Sequence, residues 1–311
     1  MDGGAALEVR DLRVTVGDVP AVHGIGFTLP RGRRTGLIGE SGSGKTLTAL
    51  AVMGLLPDGL TASGVAMYGG EDLLSLPDGR LCELRGDRLA MVFQEPMTAL
   101  NPVMRVGDQV AEPLRVHRGL SRAEAAREAA RLLERVQVAD PVEKLRAYPH
   151  QLSGGQRQRA MIAMAMACSP DLLIADEPTT ALDVTVQAQV LALLNRLVDE
   201  EGATLLLITH DLPVVAQLCD RVLVMYGGRI VEVGETAEVF DRPRHPYTLG
   251  LMDAIPPLDE ELPDRHLRAI PGAVPELGEF PSGCPFRTRC PRADGMCAAM
   301  PPLEGDGHAV A

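Results

Sequence analysis

The 311-residue chain contains no tryptophan, and aromatic residues make up only 3% of it. No stretch of apolar residues approaches the ~20 that a membrane-spanning helix needs. The first residues, MDGGAALEVRDLRV, lack the basic start and the apolar stretch of a secretory signal peptide. The lack of a long apolar stretch argues against an integral membrane protein, and the lack of a signal-peptide pattern argues against a secreted one. We therefore expect a cytoplasmic protein in which any membrane role depends on partner chains.

Positive charge is also scarce. The 30 lysines and arginines face 42 acidic residues, and the net charge is −12. This balance argues against broad nucleic-acid binding, which uses a basic face. Only two of the basic residues are lysines, Lys45 and Lys144. A lysine offers phosphate a compact point charge where an arginine offers a planar fork, so Lys45 is a candidate functional residue.

Lys45 lies in a glycine-rich loop of the form G-x-x-x-x-G-K-[ST], between an apolar strand-like stretch at 33–38 and a helix-like stretch at 46–56. Glycines in such a loop adopt positive φ and bring backbone N–H groups close to a phosphate chain. The following helix directs the positive end of its dipole to the same place. The pattern predicts a triphosphate site, with the Thr46 hydroxyl directed to Mg²⁺. Its residues are Gly39, Ser41, Gly42, Ser43, Gly44, Lys45 and Thr46.

A second candidate anion site is the LSGGQ sequence at 152–156, which precedes a predicted helix. Its serine suits a helix N-cap, and the two glycines leave backbone N–H groups accessible. An ordinary capped helix is the alternative interpretation. The candidate residues are Ser153, Gly154, Gly155 and Gln156.

Polar residues also follow three apolar, strand-like stretches. Asp176 and Glu177 end LLIADE, at the strand end where ligands collect in open parallel sheets. We expect Asp176 to hold Mg²⁺ and Glu177 to act as general base for the attacking water. His210 would contact the γ-phosphate, and Gln94 offers an amide to metal or water. The alternatives are an acidic turn and a capping histidine.

The order and spacing of these motifs resemble those of ATP-binding subunits of ATP-binding-cassette (ABC) transporters across residues 7–234. GESGSGKT corresponds to Walker A, Gln94 to the Q-loop, LSGGQ to the signature, LLIADE to Walker B, TALD at 180–183 to the D-loop and His210 to the switch histidine. The resemblance implies an ATPase that uses ATP and Mg²⁺. It also implies an α/β fold, the P-loop NTPase cassette, with a mixed sheet core, an antiparallel β part and a helical subdomain.

The resemblance further implies a head-to-tail pair of cassettes. The signature residues 153–156 would act on ATP bound by the partner, and Asp183 would lie at the interface. The implied partners are a second ABC ATPase, related or identical, two transmembrane permease subunits and, through the complex, an extracytoplasmic substrate-binding protein. This assembly would place the chain at the cytoplasmic face of the cell membrane, with no role for nucleic acid.

We divide the chain into a nucleotide-binding domain at 1–240, with a helical subdomain at about 95–166, and a C-terminal extension at 241–311. The C-terminal extension holds twelve of the 24 prolines, which predicts a turn-rich segment. Three stretches resemble dipeptide and oligopeptide importer ATPases: QEPMTALNPVM (94–104), RPRHPYTLGLMDAIP (242–256) and CPFRTRCPRADGMC (284–297). Peptide import is therefore implied. The alternatives are import of nickel or another solute and, in another class, a soluble ABC ATPase acting on DNA or ribosomes.

The chain departs from the family pattern at the adenine site. Cassettes usually place an aromatic residue before Walker A to stack on adenine, and Val16 stands there. We therefore expect adenine to rest on aliphatic side chains such as Val16 and Val22. In the D-loop, Thr180 stands where serine is commoner.

Three of the six cysteines, Cys284, Cys290 and Cys297, fall within 14 residues. In a cytosolic chain this favours metal binding over a disulfide. The resemblance implies a four-cysteine site with a [4Fe–4S] cluster as the leading candidate, and the fourth cysteine would be expected just after Ala311, where the sequence stops. A truncated chain or a non-cysteine fourth ligand would account for this. Zinc and plain thiols are the alternative interpretations of the three cysteines.

Overall fold

The computed structural model describes residues 4–95, 99–180, 182–255 and 269–311. Residues of three sequence motifs lie outside this set. They are 96–98 in the Q-loop stretch, residue 181 in the D-loop and residue 256 at the end of the stretch beginning at 242.

The chain alternates between strands and helices, as the apolar pattern predicts. The strands are β1 (Ala5–Val16), β2 (Val19–Pro30), β3 (Arg34–Ile38), β4 (Leu60–Tyr68), β5 (Glu71–Asp72), β6 (Leu89–Val92), β7 (Leu172–Asp176), β8 (Thr204–Thr209), β9 (Arg221–Tyr226), β10 (Arg229–Glu235) and β11 (Ala309–Val310). The helices are α1 (Lys45–Met53), α2 (Asp78–Leu84), α3 (Val106–Arg118), α4 (Arg122–Arg135), α5 (Pro141–Lys144), α6 (Gly154–Ala165), α7 (Val184–Glu201), α8 (Leu212–Leu218), α9 (Thr236–Asp241) and α10 (Pro246–Asp253). Short 3₁₀ turns cover Pro149–Gln151 and Gly295–Ala298.

These elements form two compact units. The first unit comprises the residues up to Leu7, Leu29–Arg33 and Tyr68–Ile208, and the second comprises Glu8–Thr28, Arg34–Met67 and Thr209–Ala311. The division does not follow the boundary at 240 that the sequence predicts, so that boundary stays a prediction. Among the described residues, no helix has the length and apolar character needed to cross a bilayer.

The first unit contains a parallel sheet and a group of helices. Strand β7 pairs in parallel with β6 and with β8, and every residue of β7 is buried. Helices α3, α4 and α6 pack against one another, and the bounds of the helical subdomain at about 95–166 stay a prediction. Helix α4 begins with a capping box, because Ser121 Oγ accepts from Glu124 N at 3.3 Å and Glu124 Oε2 accepts from Ser121 N at 3.0 Å.

The second unit contains two sets of strands. In one set β1 lies between β2 and β4, and the turn between β1 and β2 falls at 17–18. In the other set the order is β11-β10-β9-β3, with β3 parallel to β9 and the remaining pairs antiparallel. The antiparallel β9–β10 hairpin turns at Gly227 and Gly228, whose φ angles of 53° and 72° suit glycine. This mixed sheet contains the strand that leads into the phosphate-binding loop.

The C-terminal extension belongs to the second unit. It contains α10, and beyond residue 268 it consists of turns, one 3₁₀ turn and the short β11. Strand β11 pairs with β10, with Val310 opposite Glu232. A proline-rich composition disfavours long helices and leaves turns, which is what the described part shows.

Candidate active site

The phosphate-binding loop connects β3, which ends at Ile38, to α1, which begins at Lys45. The Lys45 ammonium is buried inside the loop and donates to the carbonyls of Gly39 at 2.8 Å and Glu40 at 3.0 Å. A lysine at the first position of a helix cannot reach these carbonyls unless the loop curls around its side chain. The loop therefore encloses Lys45, which is one of only two lysines in the sequence.

Glycine is required where the loop meets strand β9. Gly39 has φ 154°, and a Cβ atom at this position would lie 2.1 Å from the Met225 carbonyl oxygen. Gly44, which precedes the helix, has φ 101°. Together with Gly42, these residues adopt the positive φ angles that the sequence predicts. Ser41 and Gly42 are exposed, so the tip of the loop is accessible to a ligand.

The remaining loop side chains are less exposed. Ser43 is buried, and its carbonyl accepts from Gly228 N in the β9–β10 hairpin at 3.0 Å. Thr46 is half-buried in the first turn of α1. The hairpin thus fixes the loop from one side.

The C-terminal extension also contacts this loop, through Glu40. The Arg289 guanidinium donates two hydrogen bonds to the Glu40 carboxylate, at 2.7 Å and 3.1 Å. The Tyr247 hydroxyl accepts from Glu40 N at 2.7 Å. Arg289 is buried, whereas the Glu40 side chain is 29% exposed. Nothing in the spacing of these residues along the sequence indicates this contact.

An aromatic group surrounds the Arg289 side chain. The Tyr226 ring lies 4.6 Å from the Tyr247 ring and 5.2 Å from the Phe286 ring. Arg289 also donates to the Tyr226 hydroxyl at 3.3 Å and lies over its ring. Burial alone would lower the pKa of Arg289, but the hydrogen bonds to Glu40 and Tyr226 outweigh it and raise that pKa. The guanidinium therefore stays charged.

A cavity of about 290 Å³ opens beside the loop within the second unit. Its wall includes Ser41 and Gly42 of the loop, Pro20 of β2, and Leu277 and Phe280 of the C-terminal extension. The C-terminal extension thus approaches the loop at a second place.

The two valines expected to support adenine have different environments. Val16 is 36% exposed at the end of β1, so its role stays a prediction. Val22 is 0% exposed and packs beside Gly44. The expectation that Val22 contacts a base is therefore wrong, because its side chain belongs to the core beneath the loop.

In the first unit, Glu177 and Gln94 lie together. The Gln94 amide donates to Glu177 Oε2 at 3.2 Å, and the Thr180 hydroxyl donates to the same oxygen at 2.9 Å. Glu177 has φ 43°, and its N–H donates to the Ile208 carbonyl at 2.8 Å. This backbone places the carboxylate just beyond the end of β7. Asp176, the last residue of β7, is 1% exposed.

The signature sequence begins helix α6 with a capping box. Ser153 Oγ accepts from Gln156 N at 3.3 Å, and Gln156 Oε1 accepts from Ser153 N at 3.0 Å. Ser153 and Gly154 are exposed at the helix start. A Cβ atom at Gly155 would lie 2.8 Å from a methyl group of Val186, so this glycine permits close packing against α7. The predicted N-cap is confirmed.

Two further predicted residues lie at strand or helix ends. Asp183 is exposed and caps α7, because its carboxylate accepts from Val186 N at 3.0 Å. His210 directly follows β8 and is exposed in the second unit. Both positions leave the side chain accessible.

A backbone hydrogen bond connects two of the three clustered cysteines. Cys284 N donates to the Cys297 carbonyl at 3.0 Å, and burial raises the pKa of the Cys284 thiol. The Cys297 thiol donates to Asp294 at 3.7 Å, and Cys290 Sγ accepts from Arg292 N at 3.4 Å. Within the described ranges, no three His, Cys, Asp or Glu side chains are arranged to hold a metal ion. The structure therefore does not support the expected iron–sulfur cluster.

A glycine loop that encloses a lysine between a strand and a helix, on the same chain as a capped LSGGQ helix, defines a P-loop ATPase of the cassette class. Comparison with known proteins narrows this class. The family model "ABC transporter" matches residues 22–180, and the model "Oligopeptide/dipeptide transporter, C-terminal region" matches residues 231–297. The chain belongs to the ABC transporter family and is an ABC ATPase. The resemblance drawn from its motifs is confirmed.

Individual relatives cover nearly the whole chain. The oligopeptide transport ATP-binding protein OppD of Salmonella typhimurium is 52% identical over 302 residues, which are 96% of this chain and 90% of that protein. The probable D,D-dipeptide transport ATP-binding protein DdpD of Escherichia coli is 50% identical over 97% of this chain and 93% of its own length. Among solved structures, the dimeric post-hydrolysis state of the ATP-binding cassette MJ0796 with ADP and Pi matches with a TM-score of 0.66. The identity is 26%, over 74% of this chain and 98% of that one. The predicted cassette fold is confirmed.

Proposed function

We propose that this chain binds ATP on its phosphate-binding loop and hydrolyses it to energise a membrane-bound peptide importer. The observation that carries the proposal is the loop itself, in which Gly39 and Glu40 hold the Lys45 ammonium at the start of a helix. Backbone N–H groups at 39–46 and the Lys45 charge would bind the β- and γ-phosphates.

Mg²⁺ would be held by oxygen donors, the ligands that it prefers. The Thr46 hydroxyl, the Asp176 carboxylate and the Gln94 amide oxygen supply such donors. When bound, the ion would neutralise charge that develops on the phosphates. The donor chemistry of these residues fits Mg²⁺.

Water activation would fall to Glu177. Two neutral donors, the Gln94 amide and the Thr180 hydroxyl, reach one of its carboxylate oxygens and orient it for proton abstraction. His210 would contact the γ-phosphate as a hydrogen-bonding group. The accessible N-terminus of α6, with Ser153, Gly154, Gly155 and Gln156, would bind ATP held by a second cassette, and Asp183 would lie at that interface.

The names of the relatives support the proposed assembly. The Salmonella protein is named for oligopeptide transport and the Escherichia protein for D,D-dipeptide transport, so peptides are the proposed cargo. We propose two permease subunits, an extracytoplasmic substrate-binding protein and a position at the cytoplasmic face of the membrane. Purifying the complex and identifying its chains and captured cargo tests this, because nickel, another solute or ribosomes in place of peptide would contradict it.

The test of the chemistry is Glu177→Gln. The amide keeps an acceptor for Gln94 and Thr180 but cannot take a proton. We expect ATP turnover to fall about 10²- to 10⁴-fold, the usual range for a general base, while ATP remains bound. Turnover at the parental rate would show that Glu177 is not the base.

The iron–sulfur cluster is tested separately. The three thiols at 284, 290 and 297 have no metal-holding arrangement in the described structure. Iron and sulfide analysis of anaerobically purified protein is expected to find neither in stoichiometric amount. Four irons per chain would restore the cluster that the sequence resemblance implies.

A further inference from the structure

We propose that the C-terminal extension positions the phosphate-binding loop for ATP, with Arg289 and Tyr247 as positioning residues that act through Glu40. The proposal rests on ATP binding at this loop. It assigns the segment between the cysteines a role in nucleotide affinity that does not need a metal.

Glu40 links the phosphate-binding loop to the C-terminal extension. Its carbonyl accepts from the Lys45 ammonium at 3.0 Å, so its backbone is part of the lysine's cradle. Its N–H donates to the Tyr247 hydroxyl at 2.7 Å, and its carboxylate accepts both hydrogen bonds from Arg289. The C-terminal extension therefore holds the N–H and side chain of a residue whose carbonyl holds Lys45.

Arg289 is itself held in place. Its Nε donates to the Pro271 carbonyl at 2.9 Å, and its guanidinium lies against Tyr226. A planar guanidinium that makes two parallel bonds to a carboxylate fixes orientation as well as distance. Because Arg289 is buried, water does not replace these bonds easily.

Tyr247 has an equally defined position. It lies on α10, which begins after His245, and its ring packs 5.3 Å from Phe286. Burial raises the pKa of Tyr247, so its hydroxyl stays neutral and remains available to accept from Glu40 N. The loop backbone is thus held by one neutral and one charged contact from different parts of the C-terminal extension.

This arrangement preorganises the loop before nucleotide arrives. A loop that is already curled around Lys45 loses less conformational freedom on binding phosphate, which strengthens binding. If Arg289 is removed, the Glu40 carboxylate loses its counter-charge and the loop samples other conformations. The groups that activate water belong to the first unit and are untouched, so the effect should fall on the KM for ATP more than on kcat.

The experiment measures ATP binding to the full chain by calorimetry, and KM and kcat by phosphate release. We expect Arg289→Met to weaken ATP binding about tenfold and Arg289→Lys, which keeps the charge without the bidentate fork, to recover part of it. Tyr247→Phe removes only a hydroxyl, keeps the ring packing and is expected to weaken binding about threefold. The matched control is Arg292→Met, an exposed arginine of the same segment, which should bind ATP like the parent.

A double mutant tests whether Arg289 affects ATP binding through Glu40 or independently of it. If Arg289 acts through Glu40, Arg289→Met should cause no further loss of ATP affinity when added to Glu40→Ala, which removes both acceptor oxygens. Independent, multiplying losses would overturn the proposal, as would parental affinity in both Tyr247→Phe and Arg289→Lys. Failure of the parent chain itself to bind ATP would instead refute the proposed function.

Discussion

His245 provides a sharp prediction about stability, because its ring is locked in the neutral form. The residue is 3% exposed, and its Nδ1 accepts from Tyr247 N at 3.1 Å. Protonation would turn this acceptor into a donor that faces another donor. The pKa of His245 is lowered to about 4, with burial as the main cause and the nearby Glu232 carboxylate opposing it.

The described surroundings of His245 include a carboxylate and two aromatic rings. Glu232 on β10 accepts from His245 N at 3.0 Å with one oxygen, and its other oxygen accepts from Arg244 N at 2.8 Å and pairs with His308 at 2.7 Å. Phe286 lies 5.9 Å from the ring and Tyr247 follows on α10. The carboxylate is thus already satisfied by three partners. Its attraction for a charge on His245 is smaller than the cost of burying that charge, so the neutral ring is favoured.

The sign and size of the effect follow from linkage. Below a pH of about 6.5 an unfolded histidine binds a proton, whereas folded His245 binds one only near pH 4. The unfolded state therefore gains protons first, and the stability that neutral His245 contributes is lost as pH falls through this window. While the unfolded state holds one more proton than the folded state, each drop of one pH unit lowers the free energy of unfolding by about 1.4 kcal/mol. The loss between about pH 7 and about pH 4.5 is therefore roughly 2 kcal/mol.

The assay is urea unfolding followed by circular dichroism between about pH 7.5 and about pH 4.5. His245→Asn keeps an acceptor for Tyr247 N but does not titrate, so its free energy of unfolding should fall roughly 2 kcal/mol less over this range than that of the parent. His150→Asn, at an exposed position, serves as the control and should follow the parent. Parallel curves for the parent and His245→Asn would refute the reasoning.

Two more pairs of variants test the first unit. Ser121→Ala and Ser153→Ala each remove an exposed capping box and should lower stability by about 1 kcal/mol. Only Ser153→Ala should lower ATP turnover, and equal turnover in both would contradict a role for the signature. Thr180→Ala removes a donor to Glu177 and should lower kcat about fivefold, the effect of a ~1 kcal/mol hydrogen bond. Thr180→Ser should keep the parental kcat, and phosphate release measures both.

Local chemistry explains what the sequence predicts well. The phosphate-binding loop needs positive φ at Gly39 and Gly44, and only glycine provides it without strain. The capping boxes at Ser121 and Ser153 are recognisable because both partners lie within three residues. The Gly227–Gly228 turn is visible for the same reason. Each of these features is decided by a few consecutive residues.

Contacts between residues that are far apart in the sequence cannot be predicted from local patterns. Arg289 and Glu40 are 249 positions apart, and nothing near either residue indicates the other. Arg289 stands between two cysteines in the sequence. The cysteines predict a metal site, and nothing in the sequence predicts that the guanidinium binds Glu40. Val22 shows the opposite error. A valine near the adenine position suggests a binding surface, but its side chain is 0% exposed and lies in the core, with the neighbouring Ala21 buried as well.

The division into two units separates the residues around the phosphate-binding loop from the residues around Glu177. Lys45, Glu40 and the C-terminal extension belong to the second unit, whereas Gln94, Glu177 and Thr180 belong to the first. Within each unit the relevant side chains contact one another directly, so each unit holds its own groups in place. Changes in the C-terminal extension should therefore alter ATP affinity before they alter the hydrolytic step, and changes at Thr180 should do the reverse. An extension variant that lowers kcat while ATP affinity stays parental would show that this separation fails.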